Sequence, residues 1–111
     1  MARKDAALVP TQAIAGAIAT VYTAPAAGSG VATMLNIHVQ NNHSTTQTFY
    51  ITAGADDSGH DVFGNAANPI SLNAGQSWDW YGPMTLAAGA TVKAEASDAD
   101  VSLTISGTID Y

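Results

Sequence analysis

Four of the groups that could do acid–base or metal chemistry in this 111-residue chain fall in one short stretch: Asp56, Asp57, His60 and Asp61. Carboxylates clustered around a flexible glycine, here Gly59, suit a calcium ion, because hard cations take oxygen ligands. The stretch lacks the alternate-position spacing and terminal glutamate of a helical calcium loop. A solvated turn whose aspartates bond their own backbone is therefore the expected state, and no metal is assigned. A zinc site built from His38, His43 and His60 would need a strand, a turn and a distant loop to converge. Nucleophilic catalysis needs a serine or cysteine beside a positioned base. Cysteine is absent, and no Gly-x-Ser-x-Gly elbow occurs. A carboxylate pair for glycoside hydrolysis would have to come from Asp79, Glu95 and the loop aspartates, with nothing in the spacing to favour it. The chain reads as non-enzymatic, with no catalytic residue and no cofactor.

Trp78-Asp79-Trp80-Tyr81 carries a different chemistry. In a strand the two tryptophans share one face, where they would supply bulk to a core poor in large side chains. Exposed, they would offer an aromatic platform to a sugar ring or a protein partner, together with Asp56, Asp57, His60 and Asp61. Asp79 and Tyr81 take the opposite face.

The elements that must position these groups are strands. One phrase occurs twice, as Ser71-Leu72-Asn73-Ala74-Gly75-Gln76-Ser77 and Thr85-Leu86-Ala87-Ala88-Gly89-Ala90-Thr91. Each glycine supplies the positive φ of a tight corner, so the phrase reads as strand, turn, strand. From Val31 to Gln40 the period is two, with Val31, Thr33, Leu35, Ile37 and Val39 expected on the buried face. Gln47 to Ala53 is expected to return as its hairpin partner. Gln12 to Thr20, Thr91 to Ala96 and Val101 to Ile109 read as further strands, and Val62-Phe63 as a short edge strand inside a long 54–69 loop. Residues 1–12, interrupted by Pro10, read as an extended arm, and 13–111 as a single domain. About eight short strands with glycine, asparagine and aspartate punctuation predict an all-β fold, an antiparallel β-sandwich that is jelly-roll-like.

Composition narrows the partners. Apolar residues make up 47% of the chain, but 22 of its residues are alanine, so the core is thin and an assembly is expected to reinforce it. Nine acids stand against three cations, two of which, Arg3 and Lys4, lie in the arm. An anionic body repels phosphate backbones and acidic lipid surfaces, so neither nucleic acid nor membrane is an expected partner. No apolar run is long enough to span a bilayer. Asp5 follows Arg3-Lys4 at once, which fits a signal peptide poorly, and the mature chain is expected to begin near Met1.

Thr20-Val21-Tyr22-Thr23-Ala24-Pro25-Ala26, Leu35-Asn36-Ile37-His38-Val39-Gln40-Asn41, the paired leucine–alanine–glycine corners and the closing strand from Val101 to Ile109 together resemble small virion structural proteins of tailed bacteriophages. The resemblance covers most of residues 17–109. It departs in the Ala26–Gly30 loop, the acidic 54–69 insertion and the tryptophan pair. It implies a β-sandwich module of a virion. Together with the small size, acidic body and lack of catalytic groups, the expectation is a capsid decoration (cement) protein, made in the host cytoplasm, that binds the major capsid protein on the outside of the shell, and as a homotrimer because decoration sites lie near local symmetry axes. A fibre or tail module binding a receptor or glycan, or a connector or tail-completion component, is the alternative it leaves. On this reading the arm attaches the domain to a neighbour or to the shell, with Leu8 and Val9 filling apolar sites and Arg3 and Lys4 paired to acidic surface.

Overall fold

The computed structural model describes residues 3–54 and 60–111, with backbone alone for 3–6 and 60–62. Among these residues there are nine strands and no helix: β1 (Arg3–Ala13), β2 (Ala19–Thr23), β3 (Val31–Asn41), β4 (Gln47–Gly54), β5 (His60–Phe63), β6 (Ile70–Leu72), β7 (Ser77–Thr85), β8 (Thr91–Ala96) and β9 (Val101–Asp110). Sheet A runs β1-β9-β3-β7, and sheet B runs β2-β8-β4 with β5 and β6 beyond. β5 lies along Ile51–Ala53 and β6 along Gln47–Phe49, so the two occupy one position beside β4. Eight strand positions remain, all antiparallel, wound in the order of a jelly roll. The expected all-β sandwich is therefore the observed fold.

Both repeated phrases are corners, with Gly75 at φ 75° and Gly89 at φ 73°. They do not make hairpins. The first carries the chain from sheet B to sheet A and the second carries it back. The connection from β3 to β4 also changes sheets, which corrects the hairpin expected there. Alternation shows that one face of a strand is buried, but it does not say which strand lies alongside.

β3 departs from its simple period. Ala32 and Met34 are buried, Leu35 is exposed, and Ile37, Val39 and Asn41 are buried. Its register slips between Met34 and Asn36 against both β7 and β9, so Leu35 is a bulge that reverses the inward phase. Val31 and Leu35, expected inside, instead project from the sheet. The core lies between the sheets, with Ile37, Val39, Leu103 and Ile105 from one side meeting Phe49, Ile51, Val92 and Ala94 from the other. Along one flank Phe63 packs edge-on to Trp78 at 5.1 Å and lies 5.3 Å from Trp80, while Phe49 meets Trp78 at 5.4 Å.

The arm is not separate from the domain. β1 pairs with β9 from Arg3 opposite Asp110 to Ala13 opposite Ser102, and Leu8 and Val9 are buried in the chain's own core. This corrects the docking role expected of Leu8 and Val9. Two irregularities in the β1 register, around Leu8 and around Pro10 and Thr11, hide the strand's period. Val9→Ala is expected to cost about 2 kcal/mol through lost burial and a residual cavity. Urea denaturation of the isolated chain checks this, since an arm docked only on a neighbour would show no change.

Candidate functional site

The outer face of sheet A carries polar side chains in rows, because inward apolar residues on β3, β7 and β9 alternate with outward polar ones. His38 stands opposite Asp79 on β7 and Thr104 on β9. Its Nδ1 lies 2.8 Å from Asp79 Oδ1, and the Thr104 hydroxyl lies 2.7 Å from that of Thr11 on β1. One row along, Asn36 lies between Tyr81 and Ser106, and its amide donates to the Trp80 carbonyl at 3.0 Å. The next row is Gln40 between Ser77 and Ser102, with the Gln40 amide donating to the Gly75 carbonyl at 2.9 Å.

Three large apolar residues interrupt this polar surface. Tyr81 is 75% exposed, Val31 45% and Leu35 42%. Tyr81 makes no ring contact or hydrogen bond among the described residues. Tyr81 stands opposite Asn36, the residue that follows the bulged Leu35. The Asp79–His38 pair resembles two members of a catalytic relay, but no hydroxyl lies within hydrogen-bond reach of His38 Nε2 among the described residues.

The residues singled out from sequence are dispersed. Asp56 and Asp57 lie outside the described residues. The backbones of His60 and Asp61 belong to β5, opposite Ala53 and Thr52, so the edge strand starts two residues before Val62. Trp78 and Trp80 are half-buried and turned inward against Phe49 and Phe63. The core role of the tryptophans therefore prevails over the platform role, and the exposed aromatic of the strand is Tyr81. The backbones of Arg3 and Lys4 pair with Asp110 and Ile109. Asp79 projects from sheet A and Glu95 from sheet B, so these two carboxylates cannot flank one bond.

One cluster escaped sequence reading. His43, Asp98 and Asp100 offer ligand atoms within 4.8 Å of one another, brought together where the β3–β4 and β8–β9 connections meet. No spacing announces it, since the contact joins loops remote in sequence. The His43 Nδ1 accepts the Thr45 backbone N–H at 3.1 Å, which leaves the ring proton on Nε2, 3.7 Å from Asp98 Oδ2. A metal held through Nε2 needs the opposite tautomer. His43 as placed caps its own turn.

No family model, no curated protein and no solved structure matches this chain.

Proposed function

We propose that the protein is a non-enzymatic structural component of a tailed-phage virion, a decoration protein that binds the major capsid protein on the outer shell surface and stabilises it. The observation that carries this reading is the outer face of sheet A, where Tyr81, Leu35 and Val31 stand exposed on an otherwise polar sheet. Exposed aromatic and aliphatic side chains on a face that also carries hydroxyls and amides are the residue types of interface centres and rims. The jelly-roll winding supports the reading as an architecture common among viral coat domains, although fold alone does not fix function. The sequence resemblance over residues 17–109 points the same way, and a thin core gains from assembly as a homotrimer.

Purified protein is expected to co-sediment with expanded, undecorated capsids and to have the native mass of a trimer. The double variant Leu35→Ser, Tyr81→Ser is expected to keep its thermal midpoint and bind at least about tenfold more weakly, since central aromatic anchors carry much of an interface's energy. A wild-type chain that stays in the supernatant sinks the proposal. The same face favours one second reading, a fibre or tail module for a glycan, because Tyr81 is flanked by Asn36, His38 and Asp79. Quenching of tyrosine emission by neutral oligosaccharides, abolished in Tyr81→Ser, would select it.

A further inference from the structure

A concavity of about 270 Å³ opens on the outer face of sheet B. Its floor is β4 and β8, where Tyr50 stands directly opposite Glu95. Gly16, from the β1–β2 connection, borders it on the β8 side, and Ala66 and Pro69, between β5 and β6, border it on the β4 side. Glu95 and Thr48 both line it, and neither the Glu95 carboxylate nor the Thr48 hydroxyl makes a hydrogen bond or ion pair among the described residues. Ser97, beside them, is already spent: its Oγ bonds Gln47 Oε1 at 2.6 Å and accepts the Thr48 N–H at 2.8 Å.

We propose that this slot binds an alkyl cation, the ammonium or guanidinium of a lysine- or arginine-like group, with its charge on Glu95 and its methylene stem along Tyr50, Ala66 and Pro69. An ionised carboxylate only accepts hydrogen bonds, so it selects donors, and a charged donor bonds it about twice as strongly as a neutral one. The Thr48 hydroxyl can rotate to accept a second N–H. A chain of net charge −6 turns anions away. The volume lies below the usual span of sites for drug-sized ligands and suits a single side chain. Stems of this kind bury along apolar walls while the charged head seeks a polar group. Lys93 shares the outer face with Glu95 but does not line the slot. The inference goes beyond the virion reading and does not depend on it.

Amide chemical shifts of the full chain, followed during titration with agmatine and with cadaverine, test the proposal. Shifts centred on Thr48, Tyr50, Glu95 and Ser97 are expected, saturating near about 1 mM as suits a solvent-open ion pair, and weakening with added salt. Glu95→Gln, with its thermal midpoint unchanged, is expected to bind about tenfold more weakly. Butylurea, uncharged and of similar shape, is expected to leave the spectrum unchanged. A capped glycyl-arginyl-glycine peptide separates the sources: binding tighter than agmatine means a partner's side chain, and weaker binding means a free amine. The proposal is overturned if neither amine shifts these amides at about 20 mM, if Glu95→Gln binds as well as wild type, or if butylurea binds equally.

Discussion

Gly107→Ala is expected to destabilise the protein by about 3 kcal/mol or more, on the scale of overpacking and backbone-strain effects. Gly107 lies in β9, a strand paired on both sides, opposite Met34 of β3 and Ala6 of β1. The Thr33 carbonyl lies so close to Gly107 that an added Cβ would overlap it, while Leu8 Cδ1 would stand 3.0 Å away. A flexible side chain could give way. A carbonyl fixed in a central ladder cannot, so β3 and β9 would have to part. Gly16→Ala is the matched control, because the nearest atom to its Cβ would be the Ala96 carbonyl oxygen at 4.0 Å. There the substitution should be neutral or stabilise by about 0.4–1 kcal/mol through the unfolded chain. Urea denaturation should therefore show a large loss for Gly107→Ala and no loss for Gly16→Ala. An equal, small response would show that β3 does not approach β9 as described.

Asn41→Leu is expected to cost about 3–5 kcal/mol despite placing an apolar residue at a fully buried position. The Asn41 side-chain amide donates to the carbonyls of Thr45 at 3.0 Å, Leu72 at 3.0 Å and Asn73 at 3.2 Å, and its Oδ1 accepts the His43 N–H at 2.9 Å. Its backbone adds bonds to Gln76 and Gly75. One residue thus ties the end of β3 to the β3–β4 connection and to the first glycine corner. Leucine would leave these polar groups without their partner, at about 1–3 kcal/mol for each that stays buried, partly relieved where the loops open to water. Against a total stability of about 5–15 kcal/mol the loss is large. Asn41→Asp should fare no better, because a carboxylate has no hydrogen to offer the carbonyls. Hydrogen exchange gives the specific signature: amides of residues 42–46 and 73–76 should lose protection while β9 keeps it. Asn42→Ala, which removes only an exposed bond to Ser102 Oγ, should stay within about 0.5 kcal/mol of wild type.

The candidate face shows how far sequence reading reached. Alternation along Trp78-Asp79-Trp80-Tyr81 already placed the tryptophans on one side and Asp79 with Tyr81 on the other, because side-chain direction in a strand depends only on parity. Which side was buried depended on Phe49 and Phe63, contributed by strands elsewhere in the chain. The same limit hid the pairing of His38 with Asp79 and the meeting of His43 with Asp98.

By itself the sequence determined the class of structure. Glycines at the repeated corners and β-forming runs of period two point to a layered all-β fold, since each of these is a local property of the backbone. The strand expected over Gln12 to Thr20, where alanines and the Ile14–Ile18 spacing also suit a helix, is instead the end of β1, a connection and the start of β2. The sequence also determined the inward phase of Val101, Leu103 and Ile105, where β9 runs without a bulge. Tertiary structure decided the rest. The bulge at Leu35 turned Val31 and Leu35 outward, a change of parity that depends on the neighbouring strands. Pairing with β9 made a core strand of residues 3–13, whose own period is broken by two register shifts. The crossings between sheets set which residues share a surface, because contacts between distant strands are fixed by packing and leave no trace in local spacing.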